Sequence, residues 1–287
     1  MENLVILIIT HKPILDKYEQ ISVSRCVSIL SKYEIRFVVP KSMDITFYNN
    51  LFPKIHFDYV PDFCLSTYEN FNKLKIDINF YKRYRSFQYI LFYEPDAYVF
   101  EDRLAYFINK KIDYVGAPWL RIEKNNEIIF SGVGNGGFCL RKVETKFKLI
   151  LALRASIYLE KFQMFNDFGI IPRIPIILFK LVKNLRVKSD MELNFNYHED
   201  GFWTIFLPNY LEKRIYNSYF LKFLTKYFFT PNYKIATISD SLKFSFETLP
   251  EKLYEFCDFR LPMGCHAWNK KSTDFWLKFI ETEGVKN

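Results

Sequence analysis

Glu94-Pro95-Asp96 interrupts an otherwise apolar and aromatic stretch, following Tyr89-Ile-Leu-Phe-Tyr93 and preceding Ala97-Tyr-Val-Phe100. The pattern reads as a buried strand that delivers carboxylates at its carboxyl end. A bare carboxylate beside a dry sheet edge is costly unless a cation meets it. In open α/β sheets, ligands lie in the crevice beyond the carboxyl ends of the strands. A divalent cation carrying a diphosphate satisfies both conditions, because Mg²⁺ or Mn²⁺ is usually held by one or two carboxylates together with substrate phosphates. Glu-Pro-Asp is also ordinary turn chemistry, and that plainer reading stands beside the first.

Other residues carry comparable chemistry. His266, in Leu261-Pro-Met-Gly-Cys-His-Ala-Trp268, is a lone histidine beside a glycine and a tryptophan. Such a residue is usually structural, yet it is also suited to complete a metal shell begun by Asp96. Glu199 and Asp200 stand before an aromatic pair in Asn196-Tyr-His-Glu-Asp-Gly-Phe-Trp203. One carboxylate there can serve as a general base, and Asp200 can equally satisfy helix amides as a cap. Thr10-His11-Lys12 lies just past the first apolar run, where donors meet a nucleotide; an exposed loop is the alternative. Gly132-Val-Gly-Asn-Gly-Gly137 holds four glycines in six residues, so backbone amides around Gly136 and Gly137 can come close to a sugar, an acceptor or another chain segment. It lacks the terminal Lys-Ser/Thr of a Walker loop.

The elements that must position these groups follow from periodicity. Leu4 to Ile9 predicts a central first strand, Asp16 to Lys32 an amphipathic helix and Ile35 to Val39 a second strand closed by Pro40. Strand, helix and strand at this spacing argue for a parallel sheet. Ile55 to Val60 predicts a third strand. Ser66 to Phe87 predicts one helix opened by a capping box at Ser66-Thr67-Tyr68-Glu69, which carries Asn72 and Lys73 toward the Asp96 crevice or, more plainly, into solvent. A short helix from Asp102 to Lys110, a strand from Asp113, a short strand at Ile128 to Phe130, a helix from Lys142 to Leu159 and a strand at Lys234 to Ser239 complete the reading. The apolar, basic stretch Phe168 to Val187 is too short and too charged to span a bilayer. It reads as an insertion packed on the domain or as an interfacial helix, and Tyr216 to Phe229 has the same character.

Composition narrows the class. The chain has 287 residues, 19% aromatic, with 9 Gly and 12 Pro, which predicts one large folded domain rather than disorder or low complexity. A formal net charge of +8 fits nucleic acid, an anionic surface or phosphorylated substrates. Scattered Lys and Arg without a nucleic-acid signature argue against the first. The 5 Cys form no close pair, so neither a disulfide frame nor a zinc site is expected. With no signal-peptide pattern at the start, the expected setting is cytoplasmic, with peripheral contact at the inner face of the membrane as an additional reading.

Six blocks together resemble a family of glycosyltransferase-like proteins, long catalogued as a domain of unknown function and grouped with the GT-A nucleotide-sugar fold. They are Tyr93-Glu-Pro-Asp-Ala-Tyr-Val-Phe100, Asp113-Tyr-Val-Gly-Ala-Pro-Trp119, Gly134-Asn-Gly-Gly-Phe138 with Leu140-Arg141, Glu199-Asp200, Phe244-Ser-Phe-Glu247 and Gly264-Cys-His-Ala-Trp268. The resemblance implies a single Rossmann-like GT-A domain over 1–287, a mixed but mostly parallel sheet flanked by helices; the helical insertion read at about 157–194 lies outside the six blocks. The resemblance implies a nucleotide-diphosphate sugar donor and a divalent cation, and the basic-aromatic character of the insertion adds a glycan or lipid-linked acceptor. Asp96 would take the metal role with Glu94 in the first acidic position, and His266 would meet metal or diphosphate. Asp200 or Glu199 would deprotonate the acceptor hydroxyl of an inverting enzyme, and Gly136 and Gly137 would lie under sugar or acceptor. Glu94 departs from the family, which often has an uncharged residue there. A non-catalytic carbohydrate-binding or scaffold protein on the same fold is the alternative.

Overall fold

The structure, a computed structural model, describes residues 3–124, 127–163, 198–214 and 233–280. The chain forms two compact units: Met1–Phe71 with Phe87–Lys142 and Lys234–Asn287, and Asn72–Ser86 with Val143–Tyr233.

The first unit is built on a six-stranded sheet in the order β3-β2-β1-β4-β9-β6, comprising β1 (Leu4–Ile9), β2 (Glu34–Pro40), β3 (His56–Val60), β4 (Tyr89–Tyr93), β6 (Tyr114–Val115) and β9 (Phe138–Lys142). β3, β2, β1 and β4 run parallel, β9 is antiparallel to β4, and β6 is antiparallel to β9. The expected mixed, mostly parallel α/β sheet is therefore the one observed. β1 and β4 are buried along their whole lengths, which is why both read as unbroken apolar runs rather than alternating ones. Between β1 and β2 runs the helix Lys17–Ile29, whose Val23 and Cys26 join Ile6, Ile8, Leu91 and Tyr93 in the main core. Each such side chain contributes roughly 1.5–3 kcal/mol on burial. Asp16 and Glu19 form a reciprocal capping box at that helix's start, satisfying two orphan amides.

Two smaller sheets complete this unit. β10 (Ser245–Phe246), β11 (Gly264–Cys265) and β5 (Tyr98–Val99) form a three-stranded sheet in that order, over a second core containing Trp268, Trp276, Phe246 and Tyr98. β7 (Pro118–Ile122) and β8 (Ile128–Val133) form a hairpin with a register shift between Trp119 and Leu120.

Two sequence expectations are corrected. The helix expected over Ser66 to Phe87 is a 3₁₀ turn, Asp62–Leu65, followed by two short helices, Tyr68–Leu74 and Ile78–Arg83. The break falls at Asp77, whose carboxylate accepts from the Asn79 and Phe80 amides and so starts a new helix. At the first helix the capping side chain is Thr67, which accepts from the Asn70 amide at 3.1 Å. The strand expected at Lys234 to Ser239 shrinks to a single bridge, Ile235 to Tyr114, because Thr237 caps the helix Ile238–Phe244 by accepting from the Asp240 amide.

The second unit contains the helix Ile78–Arg83, the long helix Val143–Gln163, and a one-turn helix Glu199–Gly201 that runs through a π-wound segment, Phe202–Phe206, into Leu207–Arg214. Trp203 is fully buried there, edge-on to Tyr81 at 5.6 Å and beneath the Lys146 ammonium at 4.4 Å. Most of the expected insertion, the stretch 168–187 and the segment 216–229 lie outside the described residues. Among the described residues, no helix is long and apolar enough to cross a membrane.

Candidate functional site

The pairing of β1 with β4 runs to Ile8 opposite Tyr93, so both strands leave the sheet at neighbouring carboxyl ends. Beyond β1 the chain continues as Thr10-His11-Lys12, and beyond β4 as Glu94-Pro95-Asp96. These residues line one cleft of about 420 Å³, together with Glu19, Tyr68 and Lys270. Its polar groups are held firmly. The Thr10 amide donates to the Val38 carbonyl at 3.1 Å, the Lys12 amide donates to Thr10 Oγ1 at 3.2 Å, and the buried Tyr48 hydroxyl donates to the Lys12 carbonyl at 2.6 Å. Lys12 Nζ reaches Glu19 Oε1 at 2.6 Å, tying the loop to the helix that β1 feeds. His11 is exposed at the cleft wall.

His266 arrives from the opposite end of the sequence. β11 pairs antiparallel with β5 and parallel with β10, and this places the residue after Cys265 beside the turn that contains Asp96 and beside Glu247. The His266 amide donates to the Phe246 carbonyl at 3.1 Å, and the Trp268 amide to the Asp96 carbonyl at 3.4 Å. The imidazole is enclosed by three carboxylates: Nε2 lies 3.2 Å from Asp96 Oδ1 and 3.7 Å from Glu94 Oε2, while Nδ1 lies 3.4 Å from Glu247 Oε1. Glu94, Asp96 and His266 each offer one ligand atom, all within 4.8 Å of one another.

The electrostatics of this cluster are strongly perturbed. Burial by itself would raise the Asp96 carboxyl, but His266 and Lys270 outweigh it and hold Asp96 well below the usual carboxylate range. Burial likewise opposes charge on His266, yet Asp96, Glu247 and Glu94 lift it well above an ordinary histidine. Burial would raise Glu247 too, and His266 with Lys271 keeps it low. Despite these neighbours, His266 Nε2 is buried and makes no hydrogen bond among the described residues. An imidazole nitrogen held against two carboxylate oxygens, without an aligned hydrogen bond of its own, offers a donor set for a divalent cation; the residues fit such an ion.

Gly137 makes this packing possible. A Cβ there would fall 2.0 Å from His266 Nε2, and the Gly137 carbonyl accepts the Glu94 amide at 2.7 Å. The glycine loop therefore touches the cluster by close backbone approach. Gly136 sits beside it, its carbonyl accepting from the Cys139 thiol at 3.6 Å.

The remaining candidates belong to the second unit. Glu199 is buried, its carboxylate 3.6 Å from the equally buried Lys75 ammonium, and its amide donates to Asn72 Oδ1 at 3.0 Å. Asn72 is thus bonded to the acidic turn. Lys73 is half-buried in the last turn of Tyr68–Leu74. Asp200 is partly exposed, lies within the one-turn helix whose N-cap residue is His198, and accepts the Gly201 amide at 2.8 Å.

Two residues of the cluster carried no role in the sequence reading. Glu247 ends the Phe244-Ser-Phe-Glu block, and its pairing with His266 follows only from β10 lying parallel to β11. Lys270, whose ammonium is 2.6 Å from Asp96 Oδ2, is a single lysine in a polar loop and gives no sequence signal.

Among solved structures, the chain overlaps core-mannan synthase A from Aspergillus fumigatus in a Mn/GDP form, with a TM-score of 0.36 and 9% identity over 52% of this chain and 63% of that one. It overlaps the mannosyltransferase Ktr4p from S. cerevisiae in complex with GDP, with a TM-score of 0.30 and 12% identity over 42% and 41%. A third overlap is with 4-diphosphocytidyl-2C-methyl-D-erythritol synthase from Anaerococcus prevotii, with a TM-score of 0.35 and 15% identity over 74% and 96%. The chain thus spans less than two thirds of the length of the first two. No curated protein sequence matches it. Residues 54–266, which include β4, the glycine loop, the acidic turn and His266, match the model of the family described as protein of unknown function DUF5672, and the chain belongs to that family.

Proposed function

We propose that this protein is a metal-assisted glycosyltransferase of GT-A type, moving a sugar from a nucleotide-diphosphate donor to a hydroxyl of a glycan or lipid-linked acceptor with inversion. The observation that carries the reading is the buried His266 Nε2, which makes no hydrogen bond among the described residues and faces Asp96 and Glu94 at the edge of the cleft beyond β1 and β4. Asp96, His266 and Glu94 would hold the cation. When bound, a divalent ion supplies charge stabilisation to a leaving diphosphate. Thr10, His11 and Lys12 offer donors to the nucleotide from the same cleft. Gly136 and Gly137 keep the wall beside the cluster low enough for a sugar to approach. Asp200, with Glu199 beside it, is the proposed base for the acceptor hydroxyl, a role that rests on the sequence pattern. Buried Glu199 is engaged with Lys75, which favours Asp200 as the member that receives the proton. The setting proposed is cytoplasmic, with peripheral contact at the inner membrane face; flotation with anionic liposomes tests the latter.

The test is donor hydrolysis and transfer with a panel of sugar nucleotides in the presence of Mn²⁺, after thermal-shift screening has identified the donor that stabilises the protein most. Asp96→Ala is expected to lower kcat/KM by at least about a hundredfold, the loss typical of a removed electrostatic stabiliser. Asp200→Ala is expected to lower kcat by about the same factor through loss of the base. Wild-type rates in both variants overturn the enzyme reading. Sugar binding without turnover in the wild type favours a carbohydrate-binding protein instead.

A further inference from the structure

Asp96 has both carboxylate oxygens engaged, Oδ1 by His266 Nε2 at 3.2 Å and Oδ2 by Lys270 Nζ at 2.6 Å. The backbone of Lys270 is fixed: its amide and that of Lys271 both donate to the Ala267 carbonyl, at 3.0 and 2.9 Å. The Lys270 side chain is the opposite, 64% exposed while its partner Asp96 is 5% exposed. A buried carboxylate that stays ionised needs a cation at all times. Here that cation is a largely exposed ammonium on a hydrogen-bonded backbone, reaching in from the wall of the cleft that Lys12 also lines.

We propose that Lys270 is a two-position cation: it neutralises Asp96 while the divalent-ion site is empty, and moves onto the diphosphate of the donor when a divalent ion takes Asp96. The inference rests on the metal-assisted reading above and adds the residue that couples metal binding to phosphate binding. A divalent ion beside His266 Nε2 would meet Asp96 at Oδ1, where it neutralises the carboxylate that holds the ammonium on Oδ2 and repels that ammonium at close range. The exposure of the Lys270 side chain gives the ammonium a solvated position to move to, and the arriving metal keeps the buried carboxylate neutralised. An ammonium expelled into a cleft that receives a diphosphate is placed for charge-assisted hydrogen bonds to phosphate oxygens. Lys270 therefore opposes metal and supports phosphate, two effects of opposite sign from one side chain.

The test uses the full chain in two measurements. Mn²⁺ affinity without nucleotide is read by paramagnetic resonance of free Mn²⁺, and binding of Mn²⁺-pyrophosphate to the Mn²⁺-saturated protein is read by calorimetry. Pyrophosphate is chosen because every diphosphate donor contains that group. Lys270→Met is expected to bind Mn²⁺ about fivefold more tightly, the worth of the lost competitor, and pyrophosphate about tenfold more weakly. Lys270→Arg is expected to restore both values to within about threefold of wild type, since it keeps the charge. Lys271→Met removes the same charge one residue on, where the ammonium faces Glu247 at 3.5 Å, and is expected to leave Mn²⁺ affinity within about twofold. If Lys270→Met leaves either affinity unchanged, or if Lys271→Met reproduces both shifts, the two-position role is overturned. Asp96→Ala separates the two readings. Abolished Mn²⁺ binding there, with Lys270→Met inert, sinks this inference alone, whereas retained Mn²⁺ binding sinks the metal site and this inference with it.

Discussion

Glu247 faces the Nδ1 side of the His266 ring. Its carboxylate meets Nδ1 at 3.4 Å and leaves Nε2 to the Asp96 and Glu94 side. A carboxylate behind a metal-facing histidine fixes the tautomer and makes the ring a better donor, and removing such a partner typically costs about ten- to a hundredfold in metal affinity. Glu247→Gln should therefore weaken Mn²⁺ binding about tenfold while the protein folds normally, as read by Mn²⁺ titration beside far-UV circular dichroism. An unchanged affinity would reduce Glu247 to a neighbour without influence. Gly137 constrains the same ring sterically. Because a Cβ would sit 2.0 Å from Nε2, Gly137→Ala must move either the glycine loop or the imidazole. Overpacking of this kind costs about 1–3 kcal/mol, so a lowered Tm and a loss of Mn²⁺ binding should appear together. A variant that binds Mn²⁺ as tightly as wild type would show the loop free to give way.

At the scale of elements, the helix Ile238–Phe244 owes its start to a small polar network. Asp240 accepts from Lys110 Nζ at 2.6 Å, from the Tyr106 hydroxyl at 2.8 Å and from the Thr237 hydroxyl at 3.1 Å. Burial pushes the Asp240 carboxyl up, but the bonds from Lys110, Tyr106 and Thr237 outweigh it and hold it below its ordinary value. A carboxyl with a lowered folded value stabilises the protein above the unfolded value of about 3.9, and that stability disappears as pH falls from there through the folded value. Asp240→Asn should accordingly melt below wild type at neutral pH, with the gap closing in acid; thermal melts across the pH range read it directly. A gap that persists at low pH would assign the loss to packing instead of charge. The same helix shows where sequence pattern misleads. Lys234 to Ser239, with Ile235, Thr237 and Ile238, has the β-branched composition of a strand, but Thr237 and Asp240 supply a helix cap within it. The Ser66 to Phe87 break is hidden for a different reason: Asp77 restarts the helix, and Lys75, buried against Glu199, reads in sequence as one more solvated base. β1, β2 and β4 were legible because strands covered on both faces need unbroken apolar runs. Asp96 and His266 were candidates in the sequence because a carboxylate at the end of a buried strand needs a cationic partner and a histidine is suited to a metal shell. Lys270 and the partnering of Glu247 with His266 depend on strand pairing between distant segments, and no local pattern encodes that.

For the molecule as a whole, two of the lysines behind the formal charge of +8 line the cleft beside the acids Glu19, Glu94 and Asp96: Lys12 and Lys270, whose side chains are 44% and 64% exposed. Exposed charges act through solvent, so their attraction for an anionic ligand depends on ionic strength. The screening length falls from about 10 Å at 0.1 M salt to about 3 Å at 1 M. A donor held in part by this field should bind about tenfold more weakly across that range, whereas hydrogen bonds and stacking to an uncharged ligand are far less sensitive. Calorimetric titration of a nucleoside diphosphate and of the matching free nucleoside, each with Mn²⁺ present and at both salt levels, separates the two contributions. The diphosphate should lose affinity with salt and the nucleoside should stay within about twofold. Parallel losses would mean that salt acts on the protein rather than on phosphate recognition. Equal insensitivity would mean that the basic excess of this chain serves another partner, and that the cleft recognises its ligand without help from the lysines that line it.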